Sequence, residues 1–386
     1  MKILFLQHGN YSEAYQRFED NGPETYRDQR RSVDFVAALA RQHTITVVAI
    51  CQDCHDTELA PGLTSVGAPR SLFDRDFIAR IFDRTAPDLF ICRTPFLQVL
   101  HQARTRRIPT LPVFADLFEN DSLRKIVQNL RLRHALSGSN VACVSNHSLN
   151  ASRSMAKALF YPTDRIVPWD WARISDIRSP KTAMADPARP TAFFAGKLAR
   201  DKGVGDCLQA VRILRDRGIA MAMDFAGPGD LPFWSGEAEK LGLQQAVQFL
   251  GRIPNEDVSQ RMQDADILLV PSRHSYAEGM PNTIYEALAS ASPLIISNHP
   301  AFENRLRPEQ DCLVVPAADP SALADGMQRL CRDRDLYARL SAHAADALAQ
   351  LYIGVEWSEL IEHFIADPSN ATGWVRERSF RHLGLR

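Results

Sequence analysis

Residues 267–297 read ILLVPSRHSYAEGMPNTIYEALASASPLIIS. Four apolar residues, Ile267 to Val270, are stopped by Pro271 and Ser272, and a polar loop runs on to Pro281. Residues 282–289 then have helical character, and 294–297 form a second short apolar run. Short Val, Ile and Leu runs alternating with longer amphipathic stretches are the pattern of parallel strands covered by helices on both faces. The stretch therefore reads strand, loop, helix, strand, one winding of a doubly wound α/β sheet.

The same alternation extends in both directions. Residues 192–195, 221–226, 247–250 and 313–315 supply further strands around it, and 3–6, 45–50, 89–92, 110–114 and 141–144 predict a similar sheet in the first half, with a helix over 25–41. Between the two series, residues 175–190 carry Pro180, Pro187 and Pro190 without apolar periodicity and read as a linker. Beyond Pro316 the chain reads helical to about Ala366, with Trp357, Leu360, Ile361 and Phe364 as a core stripe, and 367–386 reads as a loose basic tail or a closing helix. The linker divides the chain into an expected 1–178 and 190–351. Two such sheets leave a cleft, and ligands sit at the carboxyl ends of the strands.

The 386 residues suit two cores. With 45 basic and 46 acidic side chains, the formal charge of −1 gives no global field for nucleic acid or an anionic bilayer. No apolar run approaches the ~18–20 residues of a membrane span, and the opening MKILFL reaches Gln7 and His8 too soon for a secretory signal. These features predict a cytoplasmic protein. The seven cysteines are scattered, and Cys51 and Cys54 with His55 do not complete four ligands, so neither a disulfide framework nor a metal is expected.

Chemistry concentrates in the quoted loop. Asn282 reads as an N-cap with Pro281 at the entry, so the amides of Asn282, Thr283 and Ile284 form an anion site suited to a pyrophosphate. Glu278 and Glu286 would repel that anion, and their use is to accept hydrogen bonds from hydroxyls beside it. A nucleoside diphosphate sugar offers both. Positive charge comes from Lys197 and Lys202 in FAGKLARDKG (194–203), where two ammonium groups would stabilise a departing diphosphate. Neither a P-loop nor a GxGxxG fingerprint occurs at these turns.

These motifs together resemble the retaining family-four glycosyltransferases of the GT-B fold. Glu278 to Glu286, separated by seven residues, is similar to the family's paired-glutamate signature. Gly196-Lys197 with 201–203 resembles its phosphate-binding segment, Gly227 and Gly229 in FAGPG its glycine turn, and Arg252 with Ile253 its base-contacting strand end. DCLVVP (311–316) followed by Asp319-Pro320 is similar to the segment after the donor site. The resemblance spans about residues 191–350, in family order. It implies two Rossmann-like domains facing across a cleft, with a C-terminal helix, within 352–386, crossing back to pack on the first. It further implies metal-independent sugar transfer from a nucleotide-sugar donor with retention and without a cofactor. Lys197 and Lys202 would stabilise the diphosphate, Glu278 would position the sugar and Glu286 the ribose. The segment from Gly279 through Met280, Pro281 and Asn282 to Thr283 would take phosphate or sugar on its free amides.

The first half departs from the family pattern. Gly22 is the candidate for the glycine-rich turn before the first helix, with Gly9 competing. Where relatives often carry a histidine facing the donor sugar, this chain reads PVFADLFE (112–119), and Asp116 is the nearest polar substitute. Trp169 and Trp171 read as packing or an acceptor platform, and His274 and His299 as loop histidines. Residues 122–134 hold Arg124, Lys125, Arg131 and Arg133 without an acid, and read as a solvated face before a weak peripheral contact with anionic lipid or a charged glycan. The reading is a cytoplasmic glycosyltransferase with a glycan or lipid-linked acceptor, acting in surface polysaccharide assembly. A sugar-nucleotide epimerase or hydrolase on the same fold, and a non-catalytic sugar-nucleotide-binding subunit, stay open at this stage.

Overall fold

The computed structural model describes residues 1–276 and 278–383. The chain forms two compact units, one of residues 1–23, 28–172 and 353–386, the other of 24–27 and 173–352.

The first unit is built on an eight-stranded sheet. Its strands are β1 (Lys2–His8), β2 (Thr44–Ile50), β3 (His55–Ala60), β4 (Leu63–Ala68), β5 (Leu89–Cys92), β6 (Thr110–Phe114), β7 (Val144–His147) and β8 (Ile166–Trp169). They lie in the order β3-β4-β2-β1-β5-β6-β7-β8, all parallel except β3 on β4. Sequence patterning finds five of these and misses β3, β4 and β8. β3 is a half-exposed edge strand rich in polar residues, so its alternation carries little apolar signal. The last strand runs on into Trp169, which is buried and donates its indole N–H to the Phe114 carbonyl at 3.0 Å. Trp169 is therefore core and no acceptor platform.

The second unit carries β9 (Thr191–Ala195), β10 (Ala222–Ala226), β11 (Val247–Gly251), β12 (Ile267–Val270), β13 (Leu294–Ser297) and β14 (Leu313–Val315). All are parallel, in the order β11-β10-β9-β12-β13-β14. That order reverses between β9 and β12, which opens a crevice outside their carboxyl ends.

Two stretches thread differently from the sequence expectation. The helix expected over 25–41 is Gln29–Leu39, because Glu24 to Arg27 join the second unit. There the Glu24 carbonyl accepts the Asn255 N–H at 3.1 Å and the Arg27 guanidinium lies 4.9 Å from the Tyr285 ring centre. The proline-bearing stretch 175–190 is also held to the second unit. The Lys181 ammonium is bonded to the Ala265 carbonyl and the Ser292 hydroxyl, each at 2.7 Å. From residue 353 the chain belongs to the first unit. Trp357, Leu360, Ile361 and Phe364 of the helix Trp357–Ala366 enter the core formed by Ile3, Phe5 and Val47. The tail is ordered as a closing element: a short helix, Trp374–Arg378, precedes Phe380, whose N–H bonds to the Ile166 carbonyl at 2.7 Å.

Candidate functional site

The crevice between β9 and β12 is floored by three loops that leave adjacent strands and bond to one another. The Gly196 N–H donates to Ala226 O at 2.9 Å, Leu198 N–H to Pro228 O at 2.8 Å, and Gly227 N–H to Gly251 O at 2.7 Å. Such close backbone approach explains the glycines. At Gly227, with φ +140°, an added Cβ would lie 1.9 Å from the Gly196 oxygen, and at Gly203, with φ +82°, it would lie 2.4 Å from the Pro271 oxygen. Gly229 bridges to Leu198 in the same floor.

The loop after β12 closes over this floor and places its acid against a lysine. Lys202 Nζ donates to Glu278 Oε2 at 2.5 Å, and both residues are buried. Ser272 Oγ donates to the same oxygen at 3.0 Å, and the Tyr276 ring lies 4.4 Å from the ammonium. Oε2 is thus doubly bonded, while Oε1 receives no donor among the described residues. Burial pushes the Glu278 carboxyl above its ordinary value, a rise that Lys202 opposes. An ammonium has three donors, so Lys202 retains capacity beyond the one given to Glu278.

Around this pair lie the other expected residues. Lys197 is exposed on the loop after β9. Arg252 is exposed and Ile253 half-buried just past β11. Gly279 is half-exposed, whereas Met280 and Pro281 are buried, so the Met280 side chain serves the core. Asn282 is not the N-cap: the helix Asn282–Ala289 begins at it, with Pro281 in the cap position and no side-chain cap. Ile284 N–H already bonds to Pro281 O at 3.0 Å, which leaves the Asn282 and Thr283 amides as the first-turn donors of the anion site. Thr283 Oγ1 reaches the Ala195 carbonyl at 3.4 Å. Glu286 is half-buried one turn on, and its Oε1 accepts the Asn255 amide at 2.7 Å.

Sequence reasoning missed the residues that hold the loop. Arg273 makes a two-pronged ion pair with Asp206 at 2.8 and 2.5 Å, and its own N–H bonds to Asp201 O at 2.8 Å. That carboxylate holds the guanidinium above its usual range. Asp206 carries only the weak signal of an acid in a helix's first turn. Of the two loop histidines, His274 is exposed and bonds to Asn298. His299 is buried, takes the Ala301 N–H on Nδ1 at 3.1 Å and contacts Tyr276 O at 3.1 Å. It is an internal brace of the loop.

In the first unit the order reverses between β1 and β5, and the corresponding carboxyl edge holds His8, Thr94 and Asp116. His8 Nε2 lies 3.3 Å from Thr94 Oγ1. Burial lowers its basicity, against the raising influence of the nearby Asp116. Asp116 is half-buried, clamped through its main chain by Asn146 at 3.1 and 2.9 Å, and burial raises its carboxyl. Gly22 is not at this edge. It follows the helix Tyr11–Glu19, with its N–H on Arg17 O at 2.7 Å, and Gly9 occupies the turn after β1.

A parallel sheet whose strand order reverses at one point, with glycine loops and a buried Lys202–Glu278 pair at the carboxyl ends there, is a doubly wound α/β unit. The family model for glycosyl transferases group 1 matches residues 178–347. Among curated proteins it is 30% identical over 154 residues to the amylovoran biosynthesis glycosyltransferase AmsK of Erwinia amylovora, covering 39% of this chain and 37% of that protein. It is also 30% identical over 138 residues to the putative teichuronic acid biosynthesis glycosyltransferase TuaC of Bacillus subtilis, covering 36% and 32%. The chain thus spans about a third of the length of these relatives. Among solved structures, sucrose-phosphate synthase from Thermosynechococcus elongatus matches with a TM-score of 0.69 at 15% identity, covering 96% of this chain and 100% of that one. Anabaena HepE in complex with UDP and glucose matches with a TM-score of 0.69 at 14% identity, again over 96% and 100%. The fold is GT-B, with two parallel-sheet units.

Proposed function

We propose that this chain is a retaining, metal-independent glycosyltransferase that moves a sugar from a nucleotide-sugar donor to a glycan or lipid-linked acceptor in surface polysaccharide assembly. The observation that carries the reading is the buried Lys202–Glu278 pair at the switch point of the second sheet, 2.5 Å apart. A donor diphosphate lying over the Asn282 and Thr283 amides would meet Lys202 and the exposed Lys197, which supply the positive charge that bond cleavage demands. Glu278, with Oε2 engaged by Lys202 and Ser272, offers Oε1 to a sugar hydroxyl. Glu286 would take a ribose hydroxyl beside its Asn255 contact. Asp116 would assist from the carboxyl edge of the first sheet. The names of the relatives, which act in amylovoran and teichuronic acid biosynthesis, support the polysaccharide setting. The UDP and glucose bound to HepE support the donor class.

The test is thermal stabilisation and slow donor hydrolysis across UDP-, GDP- and ADP-sugars, with Lys202→Ala and Glu286→Ala beside the native protein. A true donor at roughly 100 times its Kd adds about 2.7 kcal/mol of stability. One nucleotide series should stabilise the native chain and turn over slowly, and both substitutions should shrink the ligand-induced shift. No shift with any nucleotide sugar would leave the family fold without this function.

A further inference from the structure

Lys202 is a lysine with little water around it. The residue is 9% exposed, and its ammonium gives one donor to Glu278 Oε2. Among the described residues that carboxylate is its one hydrogen-bond acceptor, although an ammonium has three donors. An aromatic face covers part of the remainder. The half-buried Tyr276 ring has its centre 4.4 Å from Nζ, inside the roughly 6 Å over which a ring quadrupole attracts a cation, an attraction that grows as water is removed. Tyr276 is fixed on both sides of its own backbone. Its N–H donates to the Arg273 carbonyl at 3.0 Å, and Arg273 is itself tied to Asp206 and to the Asp201 carbonyl. Its carbonyl lies 3.1 Å from His299 Nε2. Because His299 Nδ1 accepts the Ala301 N–H, the imidazole proton sits on Nε2 and is donated to Tyr276. Burial, then the nearby Glu278 and Asp201, push the Tyr276 phenol above its ordinary value, so the ring stays neutral and its face stays attractive to a cation.

We propose that Tyr276 is a positioning residue of this site: its ring holds the Lys202 ammonium against Glu278, keeps water off it, and leaves its remaining N–H as the one that meets the donor diphosphate. The contact of ring and ammonium stands on geometry alone, and its consequence for the diphosphate rests on the donor reading. A leucine would fill similar space without a quadrupole, whereas phenylalanine would keep the quadrupole without the hydroxyl.

The experiment compares the full chain with Tyr276→Phe, Tyr276→Leu and a series of phenylalanines at this position carrying one, two or three fluorines, which drain charge from the ring face with little change of size. The first readout needs no ligand: the rate at which acetic anhydride labels Lys202, followed by mass spectrometry. Tyr276→Leu should speed labelling about tenfold, Tyr276→Phe should stay within about a factor of two, and the rate should climb with each fluorine. The second readout is hydrolysis of UDP-glucose, GDP-mannose and ADP-glucose with kcat and KM separated. Lys202 acts on charge that develops as the bond breaks, so Tyr276→Leu should lower kcat about tenfold and change KM less, and Tyr276→Phe should restore it. The fluorinated series packs as phenylalanine does, so it reports on ring charge even where leucine disturbs the loop. Labelling that is the same for leucine and phenylalanine, or that shows no trend with fluorine, would overturn the proposal. So would a fluorine-dependent labelling rate beside a kcat that does not follow it. Fluorine-dependent labelling with no hydrolysis of any nucleotide sugar would uphold Tyr276 as the residue that holds Lys202 and overturn the donor reading instead.

Discussion

The carboxyl edges of the two sheets share a topology and differ in how they hold charge. Both orders reverse beside the first strand of their unit, at β1 and β5 in one and at β9 and β12 in the other. In the second unit the loops are bonded backbone to backbone, and the acid and the lysine are buried against each other before any ligand arrives. In the first, His8 lies beside a threonine hydroxyl, and Asp116 is fixed by its main chain while burial and His8 act on its carboxyl in opposite directions. A doubly wound sheet thus chooses where a ligand can sit, and the loops choose what charge it meets. If the second edge holds the proposed diphosphate, its charges are already in place, the case in which electrostatic stabilisation costs no rearrangement.

Breaking the buried pair should produce the largest effect. Lys202→Met strands Glu278 in a buried setting, which should cost about 3–5 kcal/mol of stability by chemical denaturation and on the order of 10²–10³ in donor turnover. Lys202→Met/Glu278→Leu should regain much of the stability and none of the turnover. A single variant as stable as the native chain would mean that the pair does not preorganise the site.

Next comes the glycine floor. Gly227→Ala forces an alanine into φ +140° against the Gly196 oxygen, and a loss of about 3 kcal/mol is expected from strain and collision together. Gly9→Ala at the first edge has φ +88° but nothing within 4 Å of the new Cβ, so about 1 kcal/mol is expected there. Equal melting temperatures for the two would erase the contrast between a tight and an open edge.

The smallest effect concerns Asp116. Because burial raises its carboxyl above 3.8, the folded state binds that proton more tightly than the unfolded state. Its contribution to stability therefore falls as pH rises through the interval above 3.8. Asp116→Asn should melt a few degrees higher than the native chain at neutral pH, and the advantage should vanish on acidification below the ordinary carboxylate range. An advantage that persists in acid would show that ionisation is not its cause.

Much of the second edge was legible in residues 194–203 and 267–297. Strand ends, glycines and charged residues there are close in sequence to the strands that position them. The bracing was not. Arg273 finds Asp206 67 residues earlier, a pairing that no local pattern encodes. Nor did the sequence mark Pro281 rather than Asn282 as the cap, since both suit a helix start and only the backbone path separates them. In the first half the polar edge strand β3 lacked the apolar signal on which strand recognition depends. Gly22 was a plausible turn glycine that packs instead against Arg17 at the end of the first helix.

By itself the sequence determined the α/β class, the two strand series, the glycine turns and the paired glutamates, because periodicity and backbone freedom are local properties of a chain. Only the tertiary structure decided that 24–27 and 173–190 join the second unit. It alone placed Lys202 on Glu278, and it alone set the Tyr276 ring over the ammonium. These outcomes depend on which surfaces bury one another across long sequence separations. Long-range burial is settled by the packing free energy of the whole fold, which short sequence windows do not contain.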